Sequence, residues 1–115
     1  MDDLALQTCV PCRGGMPPLD EAAARELLHQ TPGWELLEVG KRLTRRFKLA
    51  DFRTAMAFAQ GSGEICEREW HHADISFGWA YCQVLLYTHK IGGLHQNDFV
   101  VAAKINQMAE QKGWL

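Results

Sequence analysis

No apolar run in this chain approaches the roughly 20 residues that a membrane-spanning helix needs, so no such helix is expected. Cysteine is sparse. Cys9, Cys12, Cys66 and Cys82 are too few and too scattered for the disulfide scaffold of a small secreted domain. Charge of one sign is also lacking. The formal net charge is −2, so no overall basic field invites nucleic acid. The first residues, with Asp2 and Asp3, lack the cationic-then-apolar layout of a secretory leader, and the expected compartment is the cytoplasm.

What is present fits a globular domain. At 115 residues, 47% hydrophobic and 23% charged, the chain is long enough for one real core. Residues 1–18 read as an irregular N-terminal arm and residues 19–115 as a single domain. Pro11, Gly14, Gly15, Pro17 and Pro18 break any regular element in the arm. Cys9 and Cys12 form a Cys-x-x-Cys pair, which can be half of a zinc site. No second pair with metal spacing follows it, so no metal is expected there.

The first helix is expected from an Asp20 cap, with Ala24, Leu27, Leu28 and Thr31 on one face and Pro32-Gly33 as its stop. Trp34–Val39 and Leu43–Leu49 then read as a hairpin about Gly40-Lys41. In its second strand Leu43, Phe47 and Leu49 share one face, broken by Arg45. Arg42, Thr44, Arg46 and Lys48 share the other, expected to be wet or to meet an acidic surface. Asp51 caps a second helix, whose stripe of Phe52, Ala55, Met56, Ala59, Gly63, Cys66 and Trp70 is expected to face the core. Asp74–Gly78 and Cys82–His89 read as a second hairpin joined near Trp79-Ala80-Tyr81. The last helix is expected from Gln96 to Lys112, burying Phe99, Ala102, Ala103, Ile105, Met108 and Ala109. The pattern is α-β-β-α-β-β-α, an α+β fold with a four-stranded antiparallel sheet and helices on one face.

The chemistry concentrates between Glu67 and Asp98. Three of the four histidines in this stretch, His71, His72 and His89, lie at the ends of predicted elements, with a carboxylate at either limit. Imidazoles titrate near neutral pH, so ends of elements converging on one pocket read as acid–base chemistry. If the second helix continues, Glu67 and His71 are neighbours on its surface, and a carboxylate there orients the ring and favours its charged form. Glu67 reads otherwise as a solvated helix residue, and His89 as a surface residue. Asp98 falls in the first turn of the last helix, where the helix dipole favours a carboxylate in any case. Three histidines can also ligate zinc, but adjacent imidazoles rarely reach one ion in the required geometry.

These residues resemble the signature of the pterin-4a-carbinolamine dehydratases. Glu67 is followed by Arg68-Glu69-Trp70 and then His71-His72; nine residues separate Trp79 from His89, and eight separate His89 from Asp98. One position departs: Ala73 stands where the family usually has proline. The similarity extends from about Leu19 to the C-terminus, and bacterial members often carry a similar Cys-x-x-Cys-Arg lead. The resemblance implies dehydration of a 4a-hydroxytetrahydropterin, with no metal and no redox cofactor, to a quinonoid dihydropterin, which is recycled after aromatic amino-acid hydroxylation. For that reaction we assign His72 as the acid to the hydroxyl and His71 as the base, with His89 binding or sharing the proton work. Glu67 and Asp98 set the charge of the histidines, and Trp34 borders the flat pterin; read from the residues alone, Trp34 is a core tryptophan at a strand start. The family pairs sheets edge to edge into dimers and sometimes tetramers. Its members also include a dimerisation cofactor of a homeodomain transcription factor and assembly factors for a carboxysomal carboxylase. An assembly role, with a hydroxylase, transcription factor or carboxylase as partner, is therefore the alternative to the enzyme. A structural metal protein built on Cys9 and Cys12 is a third class.

Overall fold

Strand order in the sheet is β1-β2-β4-β3, antiparallel throughout. The computed structural model describes residues 4–10 and 16–114. In chain order its elements are α1 (Glu21–Leu28), β1 (Glu35–Leu37), β2 (Arg42–Lys48), α2 (Phe52–Glu69), β3 (Asp74–Gly78), β4 (Tyr81–Leu86) and α3 (Gln96–Gln111), with single 3-10 turns at Leu4–Leu6 and His89–Ile91. This is the expected α-β-β-α-β-β-α order. Among the described residues no helix is long and apolar enough to cross a membrane.

Alternation builds the core. Cys82, Val84 and Leu86 of β4 and Leu43 and Phe47 of β2 point to one face of the sheet, where they are buried. Phe58 of α2 stacks on Phe47 at 4.4 Å, and Phe99, Val101, Ala102 and Ile105 of α3 close the layer. Both expected helix caps form. The Asp20 side chain accepts from the Ala23 amide, and the Asp51 side chain from the Thr54 amide, each at 2.8 Å. That bond holds the Asp51 carboxyl below its usual range.

Several local expectations are corrected. The first hairpin turns earlier than its apolar pattern suggests. Glu38, Val39 and Gly40 all adopt positive φ, so β1 stops at Leu37. Thr44 is buried, not wet, and its hydroxyl donates to the Val84 carbonyl of the neighbouring β4 at 2.8 Å. Arg45 sits at the margin of the core, donating to Pro32 O and Asn106 Oδ1 at 2.9 Å each. The stripe of α2 is rotated from the one expected. Ala55, Phe58, Ser62, Ile65 and Cys66 face the core, while Phe52 and Met56 are exposed. Steps of three and four leave two adjacent faces open to choice, and the face that carries Phe58 takes the core. Trp79-Ala80 alone forms the second turn, with Ala80 at φ 63°, and β4 ends before His89.

Candidate active site

The histidine pair is aimed by the way α2 ends. Trp70 takes the left-handed conformation at φ 52°, ψ 45°. Its amide donates to Glu67 O at 3.2 Å, and the His71 amide to Cys66 O at 2.9 Å. This is a Schellman closure with a tryptophan in the position glycine usually takes, at a cost of about 1 kcal/mol. The reversal sends His71 inward and His72 outward.

His71 meets Asp98. Its Nε2 lies 2.6 Å from Asp98 Oδ1, with the imidazole 10% exposed and the carboxylate fully buried. The other oxygen, Oδ2, accepts from Thr88 Oγ1 at 2.8 Å and from the His95 amide at 2.9 Å. A carboxylate only accepts, so the shared proton belongs to His71 Nε2 and Nδ1 is left for other partners. Asp98 also completes a reciprocal cap with His95, whose Nδ1 accepts from the Asn97 amide at 3.0 Å. The two readings of Asp98, helix cap and histidine partner, are thus both realised by one side chain.

Glu67 does not pair with His71. Because α2 stops at Glu69, its Oε1 reaches His72 Nε2 instead, at 2.8 Å, and both side chains are largely exposed. The indole of Trp70 stands edge-on to the His72 ring at 5.0 Å. His89 opens the 3-10 turn after β4, which Gly92 closes at φ 65° and a Thr88–Gly93 bridge pins. Its ring lies 4.0 Å from that of Tyr87, and the Arg42 guanidinium covers Tyr87 from above at 3.7 Å.

These groups converge. His71, His72 and His89 line one cavity of about 480 Å³, shared with Trp70, Tyr87, Asn97, Cys9 and Val10. That volume suits a small ligand. Trp34 is not brought in. It is 5% exposed, packs edge-on against Phe47, and donates its indole N–H to Asn106 Oδ1 at 2.8 Å. The expected pterin border at Trp34 is therefore replaced by a core role, and the aromatic surface of the cavity comes from Trp70 and Tyr87. Cys9 belongs to the wall and is a free thiol. Burial, and then the neighbouring Glu69 carboxylate, pushes its pKa up to about 12. Cys12 lies outside the described residues, so the Cys-x-x-Cys reading stops at Cys9. Among the described residues no three His, Cys, Asp or Glu side chains come together as a metal-ligand set. Sequence reasoning missed Cys9, Val10 and Asn97 as cavity residues; the apolar Leu4-Ala5 pair, buried in the structure, was the signal that the arm packs.

The two carboxylates should respond differently to removal. Asp98→Ala strands a buried imidazole N–H, a hydroxyl and an amide, and should cost about 3–5 kcal/mol of stability. Glu67→Ala removes an exposed pair and should cost less than about 1 kcal/mol. Urea unfolding of both variants checks this. Equal losses would contradict the geometry.

The sequence model of the family described as "Pterin 4 alpha carbinolamine dehydratase" matches residues 17–108. A candidate pterin-4-alpha-carbinolamine dehydratase of Methylococcus capsulatus is 47% identical over 108 residues, covering 94% of this chain and 95% of the relative. A second, of Cupriavidus pinatubonensis, is 49% identical over 108 residues, covering 94% and 93%. Among solved structures, a transcriptional coactivator/pterin dehydratase of Brucella melitensis superposes with a TM-score of 0.75 at 30% identity, over 80% of this chain and 98% of that one. A pterin dehydratase-like protein described as a RuBisCO assembly factor in the alpha-carboxysome superposes at 0.57 with 20% identity, over 67% and 89%, and shares the fold alone. Agreement over nearly the whole domain, in sequence and in fold, means that the chain belongs to the pterin 4 alpha carbinolamine dehydratase family.

Proposed function

We propose that the chain dehydrates a 4a-hydroxytetrahydropterin to the quinonoid dihydropterin, recycling a pterin after aromatic hydroxylation. The observation that carries this reading is the convergence of His71, His72 and His89 on one cavity in a chain of this family. The reaction breaks the C4a–O bond, whose electron pair leaves with the oxygen, and the N5–H bond, whose pair becomes the new C4a–N5 π bond. One proton goes to the departing hydroxyl, which leaves as water, and one comes off N5. Nothing is oxidised or reduced overall.

The roles follow from the surroundings of each ring. His71 is tethered through Nε2 to Asp98, which leaves Nδ1 free to accept the N5 proton, so it serves as the base. His72, whose Nε2 lies 2.8 Å from Glu67 Oε1, is the acid to the hydroxyl. His89, stacked on Tyr87, binds the ring and shares the proton work. The flat pterin lies against Trp70 and Tyr87. Positioned acid–base groups of this kind typically contribute about 10² to 10⁴ in rate. The buried free thiols Cys66 and Cys82 suit a reducing, cytoplasmic setting.

The protein, assayed with chelator present on chemically generated 4a-hydroxytetrahydropterin, should exceed the spontaneous rate. His72→Ala should lower turnover by about 10²-fold or more, while binding of a pterin product analogue changes little, because a proton donor acts mainly in the transition state. A wild-type rate equal to the spontaneous one, or a fully active His72→Ala, would overturn the reading.

A self-associating surface accompanies it. β1 and β3 are the outer strands of the sheet, and Phe77 of β3 contacts Phe52 of α2 at 5.5 Å, with both rings exposed beside Met56 and Trp79. Unprotected edges and exposed apolar side chains of this kind call for a partner, which we take to be a second copy. Light scattering at micromolar concentration should give at least twice the chain mass. A monomer would leave this surface for a different protein and favour the alternative of a protein-partner role, such as the coactivator and the assembly factor that the names of the two structural relatives describe.

A further inference from the structure

The family match begins at residue 17, yet residues before it line the cavity. They are held by several polar contacts, most of them partly buried. Leu4 and Ala5 are buried on α3, and Lys104 Nζ donates to Ala5 O at 2.9 Å. Gln96 Nε2 donates to Gln7 Oε1 at 2.7 Å. Glu69 Oε1 accepts the Cys9 amide at 2.9 Å. The decisive latch is Asn97, only 4% exposed. Its Oδ1 accepts the Val10 amide at 3.0 Å and its Nδ2 donates to the Val10 carbonyl at 2.7 Å, so one side chain satisfies both backbone groups of Val10. A buried amide with both ends satisfied fixes a backbone in place, and releasing it strands polar groups. Asn97 directly precedes Asp98, so the latch and the His71 anchor share one helical turn.

We propose that this latched arm is a specificity wall, in which Cys9 and Val10 limit the substituent a pterin can carry at C6. The inference rests on the dehydratase reading and adds to it. C6 is bonded to N5, the atom that gives up a proton at the histidines. Any substituent there must therefore occupy the same cavity within a few ångströms of the reacting bond. The surface that Cys9 and Val10 present is small, apolar and uncharged, which suits packing against a carbon chain and not recognition of the pyrimidine edge. Asn97 is a positioning residue acting through Val10.

Calorimetric titration of the full chain with two unreactive ligands tests this: 7,8-dihydrobiopterin, which carries a dihydroxypropyl group at C6, and 7,8-dihydropterin, which carries none. In Val10→Trp, a change at a half-exposed position outside the core, affinity for the substituted ligand should fall about tenfold or more. Affinity for the unsubstituted one should change less than about threefold. In Asn97→Ala the ratio of the two affinities should move toward one, because a released arm no longer discriminates. Wild type that binds neither ligand overturns the dehydratase reading and this inference with it. Wild type that binds both, with variants that leave the ratio unchanged, overturns the specificity wall alone.

Discussion

A carboxylate with no solvent contact has to be satisfied by the protein, and in this fold that requirement falls on Asp98. Removing an ion from water costs several kcal/mol unless its lone pairs are met by well-placed donors. Asp98 is met by three: the His71 imidazole, the Thr88 hydroxyl and the His95 amide. They come from the segment after α2, the segment after β4 and the cap of α3. One buried charge therefore draws together three parts of the chain, and the cavity forms at that junction. His72 and His89 reach it as neighbours of residues that Asp98 holds: His72 follows His71, and His89 follows Thr88.

The same constraint explains why the two histidines of the pair differ. They are adjacent in sequence and face opposite surroundings, one against a buried carboxylate and the other in solvent beside Glu67 and Trp70. The separation originates at Trp70, whose left-handed backbone ends α2 and splits the directions of the two side chains. Strain of this kind persists where the surroundings over-determine it. Here the Schellman bonds to Cys66 and Glu67 do so.

Much of the fold was legible in the sequence because its signals are local. Asp20 and Asp51 cap helices as their positions imply, and the alternation in β4 appears as alternate burial. The candidate histidines were legible through their spacing, and they do share a cavity. Where the reading failed, the deciding interaction was long-range or lay in the backbone. Glu67 was matched to His71 on the assumption that the helix continues, and nothing local announces a left-handed tryptophan. Thr44 looked wet by alternation, but it is buried and its hydroxyl finds its partner across the sheet on β4. Trp34 has an apolar ring and one donor, so it is at home in a core or at a ligand border; Asn106, far along the chain, supplies the partner that settles it in the core. The wall formed by Cys9 and Val10 depends on Asn97, a contact that no periodicity encodes.

The central claim is that Asp98 fixes the proton of His71 on Nε2. Long-range ¹H–¹⁵N correlation spectra of the histidine rings at neutral pH test it most directly. The account predicts a proton bound at Nε2 of His71, protected from solvent exchange and deshielded by its 2.6 Å contact, and lost as a protected signal in Asp98→Ala. A His71 ring protonated only at Nδ1, or averaging between tautomers as an exposed histidine does, would contradict it.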